Sequence, residues 1–342
     1  MHNKKIILLI LVILLLLVCI KVIPSLSENN NKTEKYGFLM DTQVRIVIYD
    51  KGNFDNEAQK CYELISGIDK IMNTYNEDSE LAKLNKTGHS SVSDDLYAVI
   101  KKAVEISEKT DGAFDVTIKP LSELWNFKNA KVPSESEILQ AKSVVSYRNI
   151  ELKENNIVAL NNGVGVDLGG IAKGYAADKA VEFLKKSGIK NALVDIGGNI
   201  KFTGNSDKRS EGFLVGIQDP GEKNGISLGA IRLKDKTLVT GGIYERNFTS
   251  DGKLYNHILN PYTGYPVENE LLSVTVISEN SSEADAYATA LMILGEEKGL
   301  KLLNSTNGIE CIMVKKNNEI VLSEGIKKEQ FEIRNDKYFI KE

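Results

Sequence analysis

Two oxygen-bearing side chains four residues apart, Asp285 and Thr289 in SSEADAYATALMIL, are where this sequence first suggests chemistry. In a helix opening at a cap such as Ser281 or Ser282, the i,i+4 spacing puts both on one face of the early turns. A carboxylate beside a hydroxyl suits a hard cation such as Mg2+, which takes oxygen ligands and retains waters or substrate phosphates. A plainer role also fits: Asp285 as a cap and Thr289 bonded back to a helix carbonyl. The pair alone does not choose between the two.

A second group lies in VGVDLGGIAKGYAAD, residues 164–178, where a short apolar strand runs through Asp167, Gly169 and Gly170 into Lys173 at a helix start. Glycines let a ligand approach the backbone, and the first N–H groups of a helix favour an anion. Asp167 can accept a hydrogen bond from a base or ribose, the Gly170 carbonyl can reach a cation, and Lys173 can counter phosphate charge. The spacing is neither that of a P-loop nor that of a G-x-G-x-x-G dinucleotide turn. A tight turn would account for the glycines equally well.

His257, in HILNPYTGYP, is one of three histidines and can move a proton near neutral pH. Flanked by Ile258 and Leu259, it also fits a structural place. GAFDVTIKPLSELWNF, residues 112–127, sets Phe114, Trp125 and Phe127 among Asp115 and Lys119. Aromatic walls with a few polar contacts suit a planar ligand such as a flavin, while core packing accounts better for Trp125. Tyr75, in a loop after a helical segment, could cover a ring face or simply face solvent.

These residues need a scaffold, and the periodicity supplies one. Apolar side chains return every three or four residues in NEAQKCYELISGIDKIMNTY, in DDLYAVIKKAVEISEKT behind a cap at Ser93 or Asp94, in SESEILQAKSVV, in AKGYAADKAVEFLKKSG and in SSEADAYATALMILGEEKGLKLL. FLMDTQVRIVIYD reads as strand, NIELKENNIVAL as two strands around a polar turn, and NALVDIGGNIKFTG, GFLVGIQDP, LGAIRLKDKTLVTGG and LLSVTVI as further strands. The last thirty or so residues should close the sheet. The order predicts an α+β fold with a mixed, largely antiparallel sheet and several long helices, not a doubly wound alternation.

The chain ends add context. MHNKKIILLILVILLLLVCIKVI opens with Lys4 and Lys5 before an apolar run. With Lys21 snorkelling, Ile6–Ile23 meets the lower limit of about 17 residues for crossing a bilayer. Residues 1–23 are therefore expected to be a signal or membrane anchor, with the lysines cytoplasmic and the body on the extracytoplasmic face of the cell membrane. Cys19 is placed for lipid attachment, although Val18 stands where a small residue is usual; an uncleaved anchor is the other outcome. Residues 24–35 read as a polar tether and 36–342 as the body. A net charge of −4 with no basic stripe excludes nucleic acid as a natural partner. Cys61 and Cys311, both in apolar patterns, are expected as buried free thiols.

Taken in order, LMDTQVRI, IDKIMNTYNEDSELAKLN, GAFDVTIKPLSELWNF, VDLGGIAKGYAAD, NALVDIGGNI, HILNPYTGYP and ADAYATALMILG make the body resemble the ApbE family of flavin transferases. The resemblance spans almost the whole body. It implies an ApbE-like fold, FAD as substrate with Mg2+ as cofactor, and transfer of FMN to a threonine hydroxyl of an acceptor protein with release of AMP. Metal ligands would fall on the Gly170 carbonyl, Asp285 and Thr289. Flavin or adenylate contacts would fall on Met40, Tyr75, Ala113, Phe114, Asp115, Asp167 and Lys173, with His257 and Ile258 closing the site. His257 is the first candidate for proton transfer and Asp285 the second. The implied acceptor is a membrane-associated or exported redox protein carrying a threonine-containing flavinylation motif. Two rivals stand beside this: a Mg2+-dependent FAD pyrophosphatase giving free FMN and AMP, and a non-catalytic flavin-binding lipoprotein. Two departures stand out: Asp41 where relatives usually carry glycine, and Gly241 where a serine is common.

Overall fold

The computed structural model describes residues 32–127, 129–206, 211–222 and 225–341. The expected anchor, residues 1–23, lies outside them, and no helix among the described residues is long and apolar enough to cross a membrane. The body begins earlier than expected. Strand β1 (Thr33–Leu39) takes in the last three residues assigned to the tether, because Thr33 is buried and accepts a hydrogen bond from the Phe54 N–H at 3.3 Å.

Strands β1 and β2 (Thr42–Ile48) form an antiparallel hairpin with Leu39 opposite Thr42. Helix α1 (Asp55–Met72) follows, burying Ala58, Cys61, Ile65, Ile68 and Met72 along one stripe. The short α2 (Glu80–Thr87), capped by Ser79, and β3 (His89–Ser91) lead to α3 (Asp94–Lys109), for which Ser93 is the cap. Then come α4 (Lys119–Trp125), α5 (Glu135–Ser143), β4 (Ile150–Lys153), β5 (Ile157–Leu160) and α6 (Ala172–Lys186). Helices α2 and α4 have only two buried side chains each, too few for periodicity to reveal them.

The second half is mostly strand: β6 (Ala192–Ile196), β7 (Asn199–Thr203), β8 (Phe213–Gln218), β9 (Ser227–Leu233), β10 (Thr237–Gly242), β11 (Asn247–Ser250), β12 (Lys253–Asn256) and β13 (Leu271–Ser278). Helix α7 (Ser281–Asn304) precedes β14 (Glu310–Lys315), β15 (Glu319–Leu322), β16 (Phe331–Ile333) and β17 (Phe339–Ile340). Nine strands form one sheet in the order β1-β2-β6-β7-β10-β13-β14-β15-β17, antiparallel except for the last pair. The α+β reading therefore holds, and the C-terminal strands do close the sheet.

Helices α1, α6 and α7 cover one face of this sheet. Sheet β16-β9-β8 covers part of the other, packing Phe213, Ile217 and Phe331 with Phe202, Leu238, Ile277 and Ile312. Burial on both faces explains why β13, LLSVTVIS, is nearly continuous in apolar residues rather than alternating. Helix α7 is apolar around most of its surface for the same reason. Gly295, at φ +74°, breaks it. Both body cysteines are buried free thiols, and burial raises each pKa to about 12.

Candidate active site

Helices α6 and α7 cap one another, and that exchange builds the floor of the site. Residue Ile171 precedes α6 and has no side chain able to cap it, so Asp285 of α7 does the work: its Oδ2 accepts the Gly174 N–H at 3.1 Å. In return Asp178 of α6 accepts the N–H groups of Ser281 and Ser282, both at 2.9 Å, and the Ser282 hydroxyl at 2.7 Å. Those two N–H groups are thereby committed, and the cap of α7 is Asn280, one residue before the expected serines, accepting the Glu283 N–H at 2.8 Å. The exchange requires glycine at 174, because a Cβ there would lie 2.1 Å from the Ser281 carbonyl oxygen.

One consequence is an open oxygen. The Gly174 N–H turns to Asp285, so the Gly170 carbonyl is without a hydrogen-bond partner among the described residues. Thr289 Oγ1 is close by, 3.3 Å from where a Cβ on Gly170 would stand, and the Phe114 ring is equally near at 3.2 Å. The predicted set of Asp285, Thr289 and Gly170 is thus brought together. Lys173 joins it, with Nζ 2.9 Å from the Gly169 carbonyl and 3.9 Å from Asp285 Oδ1. Burial pushes the Asp285 carboxyl upward, while Lys173 and the Gly174 N–H favour its charged form. Among the described residues no three His, Cys, Asp or Glu side chains cluster, so a cation would need this mixed set. The set fits one: a buried carboxylate whose charge is countered only by a distant ammonium, a hydroxyl and a free carbonyl are hard oxygen donors.

The loop before α6 is held by Asp167, whose Oδ1 accepts the Gly169 N–H at 2.8 Å and whose Oδ2 accepts the Ser122 hydroxyl at 2.7 Å. Asp167 also lies close enough to Tyr75 to help raise its phenol pKa, second to desolvation; Arg246, Asp41 and Glu123 are the other charges felt there. Tyr75 is 68% exposed, which places it at a mouth rather than in a core. Met40 reaches the same region from the β1–β2 turn, where its N–H donates to Asp69 Oδ2 at 3.0 Å.

His257 sits beside Arg246. Its Nδ1 is 3.3 Å from the Arg246 carbonyl, which can only accept, so the ring carries its proton on Nδ1 and leaves Nε2 as a base. Desolvation, then the charges of Arg246 and Lys173, hold its pKa down to about 4, so the ring is neutral at pH 7.

Other expected contacts are placed differently. The Asp115 carboxylate is spent inside the fold, accepting the Thr117 N–H at 2.8 Å, the Thr117 hydroxyl at 2.6 Å and the Tyr147 N–H at 3.1 Å. It shapes the turn, with both of its oxygens engaged within the fold. Ala113 and Ile258 bury their side chains in the core, which leaves only backbone for a ligand. Trp125 is fully buried, donates to the Gly264 carbonyl at 2.8 Å and stacks with Phe127, so it is a core residue that ties α4 to the NPYTGYP loop. A hollow of about 620 Å³ beside Glu296, Leu300 and Lys341 lies on the far part of α7 and holds none of these residues.

Sequence reasoning missed Arg246, Ser122 and Asp178. An exposed arginine in a loop carries no local signal of what it faces. The other two act across 45 and 104 residues of chain, and only the fold brings them together.

Comparison with known proteins supplies the family. The ApbE family model matches residues 40–313. A curated FAD:protein FMN transferase of Klebsiella pneumoniae is 31% identical over 303 residues, 86% of this chain and 93% of that relative. A FAD:protein FMN transferase of Treponema pallidum is 32% identical over 84% of this chain and 86% of its own. Among solved structures, the ApbE protein of Thermotoga maritima is 34% identical with a TM-score of 0.79, covering 86% of this chain and 98% of its own. The flavin transferase ApbE of Vibrio cholerae is 28% identical with a TM-score of 0.77, covering 86% and 97%. The chain belongs to the ApbE family.

Proposed function

We propose that this protein transfers FMN from FAD to a threonine hydroxyl of an acceptor protein and releases AMP, in a Mg2+-dependent reaction. The observation that carries the reading is the convergence of Asp285, Thr289 and the unpartnered Gly170 carbonyl beside Lys173. Its curated relatives are FAD:protein FMN transferases, which supports the donor and the transferred group.

Asp285, Thr289 and Gly170 would hold Mg2+, which when bound supplies positive charge against the diphosphate and the departing phosphate. Lys173 stands where it can neutralise a phosphate oxygen, and its bond to the Gly169 carbonyl fixes the side chain's direction. Phe114 backs the Gly170 turn, and Tyr75 covers the mouth. The acceptor Oγ attacks the FMN-side phosphorus. One P–O bond forms, the P–O bond to AMP breaks with its electron pair, and the hydroxyl proton passes to a base.

His257 is that base, since its neutral ring presents Nε2 with Nδ1–H engaged. Its low pKa belongs to the ligand-free site. An anionic diphosphate nearby offsets Arg246 and Lys173 and raises it toward a useful range. Asp285, engaged by the Gly174 N–H and kept for the cation, is the poorer candidate. The acceptor is a membrane-associated or exported redox protein, in keeping with an anchor at residues 1–23 and the body outside the cytoplasm.

The test is intact-mass analysis of an acceptor domain incubated with FAD, Mg2+ and the full-length protein, wild type beside Asp285→Ala. A mass gain of FMN less water, lost in the variant, is the expected result. Free FMN and AMP with unmodified acceptor would make the protein a pyrophosphatase. Metal-free FAD binding with neither product would make it a flavin-binding protein.

A further inference from the structure

Asn199 is 2% exposed, and its Nδ2 has no hydrogen-bond partner among the described residues. A buried amide donor left unpaired is a standing cost, and each such group calls for an explanation. Its position supplies one. The turn Gly197–Gly198, with φ of +58° and +88°, starts β7 at Asn199, opposite Ile196. Strand alternation then sets Asn199 and Lys201 on the same face, toward α6 and α7. Lys201 pairs with Asp178 and donates to the Glu279 carbonyl at 2.9 Å, under the first turn of α7. Asn199 faces the next turn, where the Asp285 carboxylate lies close enough for the amide to favour its charged form.

We infer that Asn199 is a positioning residue whose unpaired amide N–H turns to the Asp285 carboxylate when a divalent cation binds and holds it there in the ligating orientation. The inference rests on the metal reading above. Asp285 Oδ2 already takes the Gly174 N–H, and Lys173 stands 3.9 Å from Oδ1 without fixing its direction. A second directional donor is what a ligating carboxylate still needs, and outer partners of this kind tune metal affinity without touching the ion.

Mn2+ is the probe, titrated into full-length protein with FAD present and no acceptor, the free ion being counted by electron paramagnetic resonance. Asn199→Leu should weaken Mn2+ binding about tenfold or more. The melting temperature without metal should hold or rise, because a buried unpaired donor has been removed. Asn199→Ala, which adds no bulk, gives the same measurement if the leucine variant fails to fold. A folded variant with wild-type Mn2+ affinity overturns the inference, as does a drop in metal-free stability with unchanged affinity. Wild-type protein that binds no Mn2+, or binding untouched by Asp285→Ala, overturns the metal reading itself and Asn199's role with it.

Discussion

The floor of the site and its mouth are built on opposite principles. In the floor, Gly174, Asp178, Ser281 and Asp285 lock two helix starts together through side chains that are buried or half-buried. At the mouth, Tyr75, Asp41 and Arg246 are exposed, and Arg246 has no ion pair among the described residues. A floor proposed to hold a cation has to be preorganised. A mouth proposed to admit both a dinucleotide and a protein segment needs exposed charge and ring surface.

The strongest way to break this contrast is at Gly174. An alanine there would drive its Cβ to 2.1 Å from the Ser281 oxygen and 2.5 Å from its carbonyl carbon, both backbone atoms that no rotamer can move. The helices must separate, and Gly174→Ala should cost about 3 kcal/mol in urea unfolding. A near-neutral result would mean that the floor is loosely packed and that Asp285 is held by something else.

A smaller effect sharpens the mouth. His257 is held at about 4 against an ordinary value of 6.5, so the unfolded chain carries a proton there that the native protein lacks between those limits. The stability this contributes is fully present above pH 6.5 and is lost as pH falls toward 4. Wild-type unfolding midpoints should therefore drop from pH 7 to pH 4.5 by more than those of His257→Gln. Arg246→Ala, which removes one of the charges holding the ring neutral, should move the His257 resonance in an NMR titration upward from about 4. A wild-type ring titrating near 6.5 would show that the mouth is as wet as open solvent.

How much of this was legible in the sequence follows the same division. Long helices such as 94–109 and alternating strands such as β8 declare themselves, because one face of each is buried and periodicity records it. Asp285 and Thr289 were readable as a pair through their i,i+4 spacing. The reciprocal capping was not, since Gly174 and Ser281 are 107 residues apart and nothing local says that a glycine meets a carbonyl. Asp115 shows the converse: the sequence sets a carboxylate beside aromatic residues, and only the fold shows it accepting bonds from Thr117 and Tyr147. Family resemblance supplied the proposed ligand set, and the fold supplied the reason the Gly170 oxygen is open.

Asp41 tests the mouth with the smallest expected effect. It follows Met40 in the two-residue turn between β1 and β2, and the two have φ of +57° and +54°, the left-handed region that glycine occupies freely. Asp41→Gly relieves that strain but gives the unfolded chain more freedom, so a net gain of about 0.5 kcal/mol in urea unfolding is expected. If Asp41 only faces solvent, the KM for FAD stays where it was. A rise in KM without loss of stability would mean instead that this carboxylate, close to Tyr75, takes part in holding the dinucleotide. The strained turn would then be retained for a contact that glycine cannot make, and the mouth would carry a specificity device of its own.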